Sequence, residues 1–275
     1  MKKSTIALVA AGTAAAVSVP VLYDQNHRLR ASHYVFRSPK IRGALEGYRI
    51  VQVSDLHNRT FGKGNCHLLA LIQAQLPDLI VITGDLMDSY LTNLPKAVEF
   101  AACVSKIAPT FFVTGNHEHR LEKTRLEGFL SDLEAAGVTV LRNRALEMGM
   151  GADHFRLIGV DCQQGKTETL QALMQGRPED ELNILLSHKP HYAAHYERAG
   201  VDLVLTGHAH GGQWRLPVVG GLYAPGQGVL PRYTGGLFTG PHGRLLISRG
   251  LSNTAPPPIP RLFNPPEVVL ADLHP

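Results

Sequence analysis

The sequence predicts an α/β protein whose strands are largely parallel, with antiparallel strands near the end of the chain. Short apolar runs typical of buried strands alternate with segments of helical periodicity from about residue 49 onward. From Gly211 the chain becomes rich in Gly and Pro, which is more typical of β structure and turns. The 275 residues are enough for one large domain or two small ones.

The first half of the chain alternates strand and helix. The spacing of Leu68, Ile72 and Leu76 predicts a helix between the first two strands. Gly137 is suited to end the third helix, because glycine tolerates the left-handed backbone found there. The predicted elements are strands at 49–54, 79–83 and 110–114 and helices at 68–76, 94–107 and 121–136.

The second half continues this alternation and then changes character. A helix at 191–199 is predicted between two of its strands. The predicted strands lie at 155–160, 183–187, 203–206, 244–248 and 267–272.

The bulk composition excludes some classes of function. A formal net charge of +4 suits anionic partners such as phosphates or acidic lipids, but the sequence shows no nucleic-acid-binding signature and no nucleic acid partner is expected. The three cysteines are far apart in sequence and form no CxxC pair. A disulfide framework or a cysteine-ligated zinc is therefore not expected.

The N-terminus is apolar. Residues 4–23 carry no charge, and as a helix they would span roughly 30 Å, the thickness of a bilayer core. An uncleaved signal-anchor, a cleaved secretory peptide and a buried helix all fit this composition. We expect a signal or anchor at 1–23, a basic linker at 24–43 and the main domain at 44–275.

Five of the predicted strands end in loops that bear metal-ligand residue types. In open α/β sheets, sites assemble at the carboxyl ends of strands, so residues far apart in sequence converge there. The loops contain Asp55 and His57, then Asp85 and Asp88, then Asn116, His117 and Glu118, then His188, and finally His208 and His210.

This set of side chains predicts a metal site without thiolate ligands. Imidazole and carboxylate together suit Mn, Fe, Zn or Co. A pair of such ions needs a bridging group, usually a carboxylate, and one further histidine can protonate a leaving group. Single residues have simpler interpretations: Asp55 and Asp85 could cap helices, and His188 and His208 could be core histidines.

The ordered motifs DxH, GDxxD, GNHE, H and GHxH resemble those of the calcineurin-like metallophosphoesterase family, from about residue 48 to the C-terminus. The resemblance implies a four-layer α/β/β/α sandwich of two mixed sheets flanked by helices. It also implies two divalent ions, a phosphate-ester substrate, and in-line attack by a hydroxide that bridges the ions.

The resemblance further implies a role for each residue. Asp55, His57 and His210 would bind the first ion, Asp85 would bridge both, and Asn116, His188 and His208 would complete the second. His117 would act as general acid or stabilise the transition state. Apart from the resemblance, Asp88 and Glu118 are expected either to orient ligands or to have surface or capping roles. His191, which closely follows His188, and Arg249, which could form bidentate phosphate contacts, are expected to contact the substrate.

The segments Gly207–Gln213, Ser248–Gly250 and Pro266–Val268 resemble a bacterial membrane-associated branch of phosphodiesterases. A relative in that branch cleaves UDP-2,3-diacylglucosamine in lipid A synthesis, which is one candidate reaction. We therefore expect a protein at the bacterial inner membrane, with the extracytoplasmic face favoured over the cytoplasmic one. Alternatives from other classes are a non-catalytic metal-binding scaffold, a metallo-oxidoreductase and a nuclease.

Overall fold

Two six-stranded sheets face each other in the computed structural model of the chain, which describes residues 19–150, 153–163, 167–241, 243–253 and 259–275. The first sheet contains β1 (Arg30–Arg37), β2 (Arg49–Val53), β3 (Leu79–Thr83), β4 (Thr110–Val113), β5 (Val138–Val140) and β16 (Glu267–His274). The second contains β6 (Arg144–Met150), β7 (Asp153–Gly159), β8 (Leu182–Leu186), β9 (Leu203–Thr206), β14 (Gly236–Thr239) and β15 (Arg244–Ile247).

Both sheets are mixed. The first has the order β1-β16-β2-β3-β4-β5, with β2 to β5 parallel and β16 antiparallel to β2. The second has the order β14-β15-β9-β8-β7-β6, with β15, β9, β8 and β7 parallel and both outer strands antiparallel to their neighbours. The prediction of mainly parallel strands with antiparallel strands late in the chain is confirmed. These strands form two separate sheets, each of which contains both kinds of pairing.

Helices cover the outer face of each sheet. The helices are α1 (19–27), α2 (Cys66–Gln73), α3 (Leu94–Val104), α4 (Lys123–Ala135), α5 (Thr167–Met174) and α6 (Ala193–Ala199). One apolar core lies between α2 to α4 and the first sheet, a second between the two sheets, and a third between α5, α6 and the second sheet. Three cores separate four layers, so the predicted α/β/β/α sandwich is confirmed.

Two short hairpins extend from the second sheet. They are formed by β10 (Arg215–Leu216) with β11 (Gly220–Gly221), and by β12 (Tyr223–Ala224) with β13 (Gly228–Val229). Both lie between β9 and β14 in the chain, close to the loop that follows β9. They form one wall of the cavity described below.

The N-terminal region differs in part from the expected basic linker. Arg30–Arg37 forms β1, which pairs in parallel with β16 at the edge of the first sheet. Only part of the predicted signal or anchor at 1–23 can be described, since residues 1–18 lie outside the described ranges. Among the helices within those ranges, none combines the length and the apolar character needed to cross a bilayer.

A buried glutamine joins the two sheets next to the carboxyl ends of their central strands. The side-chain amide of Gln52 donates to Thr83 Oγ1 on the neighbouring strand and to the carbonyl of Thr206 on the second sheet, both at 2.8 Å. A buried amide needs hydrogen-bond partners, so these bonds hold the carboxyl ends of β2, β3 and β9 in fixed positions relative to one another. The loops after β2, β3 and β9 therefore converge at one place.

Candidate metal centre

The loops that follow the central strands are tied to one another by their backbones. The N–H of Asp55 donates to the carbonyl of Gly84 at 3.1 Å, and the N–H of Gly207 donates to the carbonyl of His188 at 3.1 Å. The N–H of His208 donates to the Asp55 carboxylate, 3.0 Å from each oxygen. These bonds bring ligand-type side chains from both sheets to one point.

Five of the predicted ligands have a left-handed backbone. Their φ values are 52° for Asp55, 46° for His57, 51° for Asp85, 66° for His208 and 47° for His210. Non-glycine residues adopt this region rarely and at an energetic cost, and such conformations concentrate at functional sites. This backbone conformation therefore sets the direction in which the ligand side chains point.

Two motif glycines permit the close approach of these loops. A Cβ on Gly207 would collide with Ser54 Oγ and the carboxylate of Asp55. A Cβ on Gly115 would collide with the side chain and backbone of Asp85. The glycines are needed because a neighbouring loop occupies the space of a side chain.

The first ligand group consists of Asp55, His57, Asp85 and His210, whose ligand atoms all lie within 4.8 Å of one another. His57 Nε2 is 3.6 Å from Asp85 Oδ2, and His210 Nε2 is 3.5 Å from Asp55 Oδ1. All four residues are buried. Two carboxylates and two imidazoles in this arrangement are a donor set typical of a divalent transition metal.

The second ligand group shares Asp85 with the first. His188 Nε2 lies 3.2 Å from Asp85 Oδ2, 3.1 Å from His208 Nδ1 and 3.1 Å from Asn116 Oδ1. Four potential donors thus surround one point. All seven predicted ligands are brought together, in two groups that meet at the Asp85 carboxylate.

His57 provides a test of whether this site is built for metal. Both of its ring nitrogens are buried, and within the described part of the chain neither has a hydrogen-bond partner. The nearest carboxylate oxygens, on Asp85 and Asp88, lie at 3.6 and 3.8 Å. A buried polar atom without a partner is costly unless a ligand satisfies it, so the residues present fit a bound cation.

The electrostatics of the site favour positive charge at its centre. Burial alone would raise the pKa of Asp85, but the neighbouring His188 holds it well below the usual range. Burial alone would lower the pKa of His188, and Asp85 instead raises it to about 9. For His57 and His208, burial prevails and lowers the pKa well below the ordinary value, which favours the neutral imidazole that binds metals.

Backbone carbonyls orient two of the imidazoles. His188 Nδ1 lies 2.8 Å from the carbonyl of Thr83, and His210 Nδ1 lies 3.2 Å from the carbonyl of Ser252. A carbonyl only accepts, so each Nδ1 carries a proton and each Nε2 faces its ligand group, where a bound cation would replace the proton that Asp85 favours on His188 Nε2.

His117 lies beside the two groups and is buried, with part of its surface lining the cavity described below. Its ring is 4.4 Å from that of His57, centroid to centroid, and its N–H donates to Asp85 Oδ1 at 2.8 Å. The backbone N–H of Ser89 donates to His117 Nδ1 at 3.1 Å, so the proton of the neutral ring lies on Nε2. That nitrogen faces Arg120 Nη1 at 3.2 Å. Both side chains line the cavity described below, where each could donate to an oxygen of a bound phosphate.

Asp88 and Glu118 support the loops rather than joining a ligand group shared with Asp85. Asp88 Oδ1 accepts from the N–H groups of Tyr90 and Leu91 at 2.6 and 3.1 Å. Glu118 is fully buried, and its two oxygens accept four backbone N–H bonds, from Asp85, Leu86, Met87 and Gly115. Burial, with a further contribution from Asp85, raises the pKa of Glu118 to about 7.

We expect Glu118→Ala to loosen the metal centre. Each buried donor left without a partner costs about 1–3 kcal/mol, so the free energy of unfolding should fall by at least about 2 kcal/mol. Loss of such a supporting residue should also weaken metal binding about 10- to 100-fold. Denaturant unfolding and metal titration measure the two effects, with the exposed Glu99→Ala as the matched control. Equal stability and metal affinity in both variants would contradict this role.

A cavity of about 600 Å³ opens above the two ligand groups. Its floor includes Asp85, Asn116 and His117, and Arg120 and Lys189 contribute positive charge to its sides. The opposite wall is formed by apolar side chains from the two hairpins and the 259–263 segment: Trp214, Leu222, Tyr223, Pro225 and Ile259. The predicted substrate contact His191 lines this cavity, with its ring 5.6 Å from that of His208.

Arg249 does not fit its predicted role as a substrate contact. Its guanidinium pairs with the buried carboxylate of Glu267 and with Ser32 Oγ, and it is not among the residues that line the cavity. The Glu267 carboxylate satisfies its charge, so Arg249 joins β16 to the loop after β15. Arg120 and Lys189, which the sequence analysis did not single out, are the cations that line the cavity within the described residues.

The helix-cap interpretation of the two aspartates is wrong. The N-cap residues of α2 and α3 are Asn65 and Asn93, several residues beyond Asp55 and Asp85. His188 and His208 are buried, as core histidines would be, but they point at each other and at Asp85.

The chain is similar in sequence to known proteins. A family profile described as calcineurin-like phosphoesterase matches residues 48–212. The chain is 29% identical over 269 residues to the uncharacterized metallophosphoesterase YkuE of Bacillus subtilis (strain 168), covering 91% of this chain and 87% of that protein. It is 32% identical over 213 residues to the phosphodiesterase YaeI of Escherichia coli (strain K12), covering 75% and 76%. It is 30% identical over 188 residues to a transmembrane protein with metallophosphoesterase domain of Danio rerio, covering 63% of this chain but 43% of that protein.

Proposed function

The chain belongs to the calcineurin-like phosphoesterase family of metal-dependent hydrolases, and from that premise we propose that it hydrolyses a phosphodiester or pyrophosphate bond. Asp55, His57, Asp85 and His210 would hold one divalent ion, and Asp85, Asn116, His188 and His208 the other. The ions would be Mn, Fe, Zn or Co, in keeping with the donor set.

The observation that supports this proposal most directly is the sharing of Asp85. One buried carboxylate belongs to both ligand groups and lies at the floor of the cavity. A bound pair of divalent ions would supply a water-derived nucleophile at neutral pH and charge stabilisation for the phosphoryl oxygens. The shared carboxylate is what would keep two such ions adjacent.

The chain's own residues would contribute binding and proton transfer. Arg120 and Lys189 would attract the phosphate group into the cavity. His117 would act in one of two ways: as an imidazolium it would donate its Nε2 proton to the leaving oxygen, and as a neutral ring it would stabilise charge that develops there through an Nε2–H hydrogen bond. The fixed Nδ1 contact with Ser89 holds the ring in the orientation that this role requires.

The shape of the cavity favours a diester or pyrophosphate over a simple monoester. A monoester carries one organic group, whereas a diester or pyrophosphate presents groups on both sides of the bond. The cavity has room on its apolar side for a second group, beside Trp214, Leu222 and Ile259. UDP-2,3-diacylglucosamine, with its acyl chains, is one candidate substrate that this wall would accommodate, and other lipid- or nucleotide-linked phosphates are equally compatible with it.

Hydrolysis of bis(p-nitrophenyl) phosphate tests the proposed function. We expect the purified protein with added Mn²⁺ to turn over this diester faster than p-nitrophenyl phosphate, the matched monoester. Asp85→Ala serves as the inactive control. Turnover no greater than that of the control, with Mn²⁺, Fe²⁺, Zn²⁺ and Co²⁺ each tried, would count against the proposal.

Attachment to a bacterial membrane through the N-terminal residues stays a prediction, and so does the extracytoplasmic location. The Danio rerio relative is named as a transmembrane protein, which supports the idea without locating this chain. The presence of every ligand-type residue in the sequence supports a hydrolase over the scaffold alternative, because scaffolds on this fold typically lose ligands.

A further inference from the structure

A group of exposed apolar side chains surrounds the outer end of the cavity wall. Surfaces of soluble proteins rarely expose apolar side chains in such a concentration unless a partner or membrane covers them. We call this surface the apolar rim and define it by Trp214, Val218, Tyr223, Val229, Leu230 and Phe263, all of them exposed.

The backbone makes the rim continuous. Tyr223 lies opposite Val229 in one hairpin, and the N–H of Leu230 donates to the carbonyl of Leu222 at 2.9 Å. The N–H of Leu222 in turn donates to the carbonyl of Trp214 at 2.9 Å, and Trp214 bridges to Leu262, next to Phe263. The rim is therefore one surface built from both hairpins and the 259–263 segment, and through Trp214 and Tyr223 it is also the cavity wall.

The N-terminal helix enters at the same place. The side chain of Asn26 in α1 donates to the carbonyl of Arg261 at 3.1 Å and accepts from the N–H of Arg261 at 2.8 Å. Val19 and Tyr23 of the same helix are exposed. The apolar N-terminal sequence thus joins the described part of the chain beside the rim.

The segment that forms the rim carries no acidic residue. No Asp or Glu occurs in the sequence between Asp202 and Glu267, a segment that contains both hairpins and five arginines, of which Arg261 is buried and Arg249 is paired with Glu267. In a protein with 23 acidic residues, so long an acid-free segment would be complementary to an anionic surface. A protein partner could be recognised through any charge pattern, whereas a surface that is both apolar and free of acids suits anionic lipid headgroups.

The backbone conformation of Val218, at the tip of the first hairpin, also indicates that a partner covers this surface. It is fully exposed, and its φ is +69°, a region that β-branched residues avoid. Glycine or asparagine would be more stable at this position in water. An exposed valine there is explained if its side chain is removed from water by a partner.

We propose that the apolar rim is a membrane-docking surface that inserts into the interface of an anionic lipid bilayer and turns the mouth of the cavity toward it. Trp214 and Tyr223 would lie at headgroup level, where such side chains are enriched. Val218, Val229 and Leu230 would reach the acyl boundary. This surface is separate from any attachment through residues 1–18, and it would present the site to substrates that reside in the bilayer.

Trp214 is the single tryptophan of the chain, so its intrinsic fluorescence reports on the rim alone. The full chain is mixed with vesicles of phosphatidylcholine and phosphatidylglycerol, with or without brominated acyl chains. We expect the emission maximum to shift to shorter wavelength and brominated lipid to quench most of the emission. The response should be weaker with pure phosphatidylcholine and at high salt, where anionic attraction is reduced.

The double variant Val218→Asp/Leu230→Asp tests the surface itself. Neither residue lines the cavity, and Asp tolerates the left-handed backbone at 218 better than Val. The matched control is Leu76→Asp, which changes a comparably exposed leucine with φ of 50° at the amino ends of β2 and β3, the opposite edge of the first sheet. We expect quenching to be lost in the double variant and retained in the control, while hydrolysis of bis(p-nitrophenyl) phosphate in solution is unchanged in both.

Several results would overturn the proposal. In the first, the wild-type protein floats with vesicles, but brominated lipid does not quench its tryptophan emission. That result would mean that the protein attaches through the N-terminus alone. In the second, the emission maximum of the protein lies at short wavelength before vesicles are added and does not change when they are added. That result would mean that a second copy of the chain or its N-terminal residues cover the rim. Because fluorescence does not depend on turnover, the docking surface and the proposed hydrolysis can fail independently.

Discussion

Replacing Asp85 with Asn is expected to displace both metal ions and to lower hydrolysis by at least about 10³-fold. Loss of one stabilising group in an active site costs about 10²- to 10³-fold in rate, and Asp85 serves both ligand groups. Its negative charge is held within a buried cluster of imidazoles, where a neutral amide cannot balance two cations. Asn keeps the shape of the side chain and can still accept the N–H of His117, so the fold should persist.

Metal content and kcat/KM measured on the same preparation test this expectation. Asp88→Asn is the matched control, because Asp88 follows the same strand but accepts local backbone N–H bonds instead of bridging the two groups. We expect the control to retain two ions and most of its activity. An Asp85→Asn protein that still binds two ions and works within about tenfold of the wild type would exclude the bridging role.

His117→Asn is expected to lower kcat by about 10²- to 10⁴-fold while both ions remain bound. His117 belongs to neither of the two groups that share Asp85, and it lines the cavity. Its ring does stand beside His57 and Asp88, so a metal contact through it is an alternative that the same experiment addresses. Loss of activity without loss of metal is the signature of a proton donor or charge stabiliser.

Diesters with different leaving groups distinguish these roles. A general acid matters most for poor leaving groups, so the defect should be largest for alkyl esters and smallest for p-nitrophenyl esters. Arg120→Met is the matched variant, since it removes the donor that faces His117 Nε2 without removing the acid. It should raise KM more than it lowers kcat. A metal content that falls with His117→Asn would instead assign this residue to the ligands.

Much of the fold was predictable where apolar runs are long and bounded by turn residues. The predicted strands at 79–83 and 203–206 match β3 and β9 residue for residue, because both are buried on both faces and followed by glycine. The β1 strand was missed. It is a basic edge strand with mostly exposed or half-buried side chains, and its partner β16 lies more than two hundred residues away in sequence. Such a strand forms because it pairs with a strand that is distant in sequence, and the local pattern of apolar residues does not predict that pairing.

The same contrast holds for the site. The convergence of ligand-type residues such as Asp85 and His208 was predictable because each lies two residues beyond a strand, and the sheets fix where strands end. Arg120 was missed because a short turn, Glu118–Arg120, folds it back to His117. Arg249 was assigned to substrate because it lies in a motif-like segment, yet the buried Glu267 eighteen residues later neutralises it. Which cation meets the substrate depends on such long-range pairing, which single motifs do not encode.

Anomalous diffraction from crystals of the Mn²⁺-loaded protein tests the central claim most directly. We expect two peaks about 3.5–4 Å apart, as in two-metal hydrolases. One peak should lie among Asp55, His57 and His210, the other among Asn116, His188 and His208, with the Asp85 carboxylate between them. A single peak, or a pair of peaks that Asp85 does not join, would contradict the account.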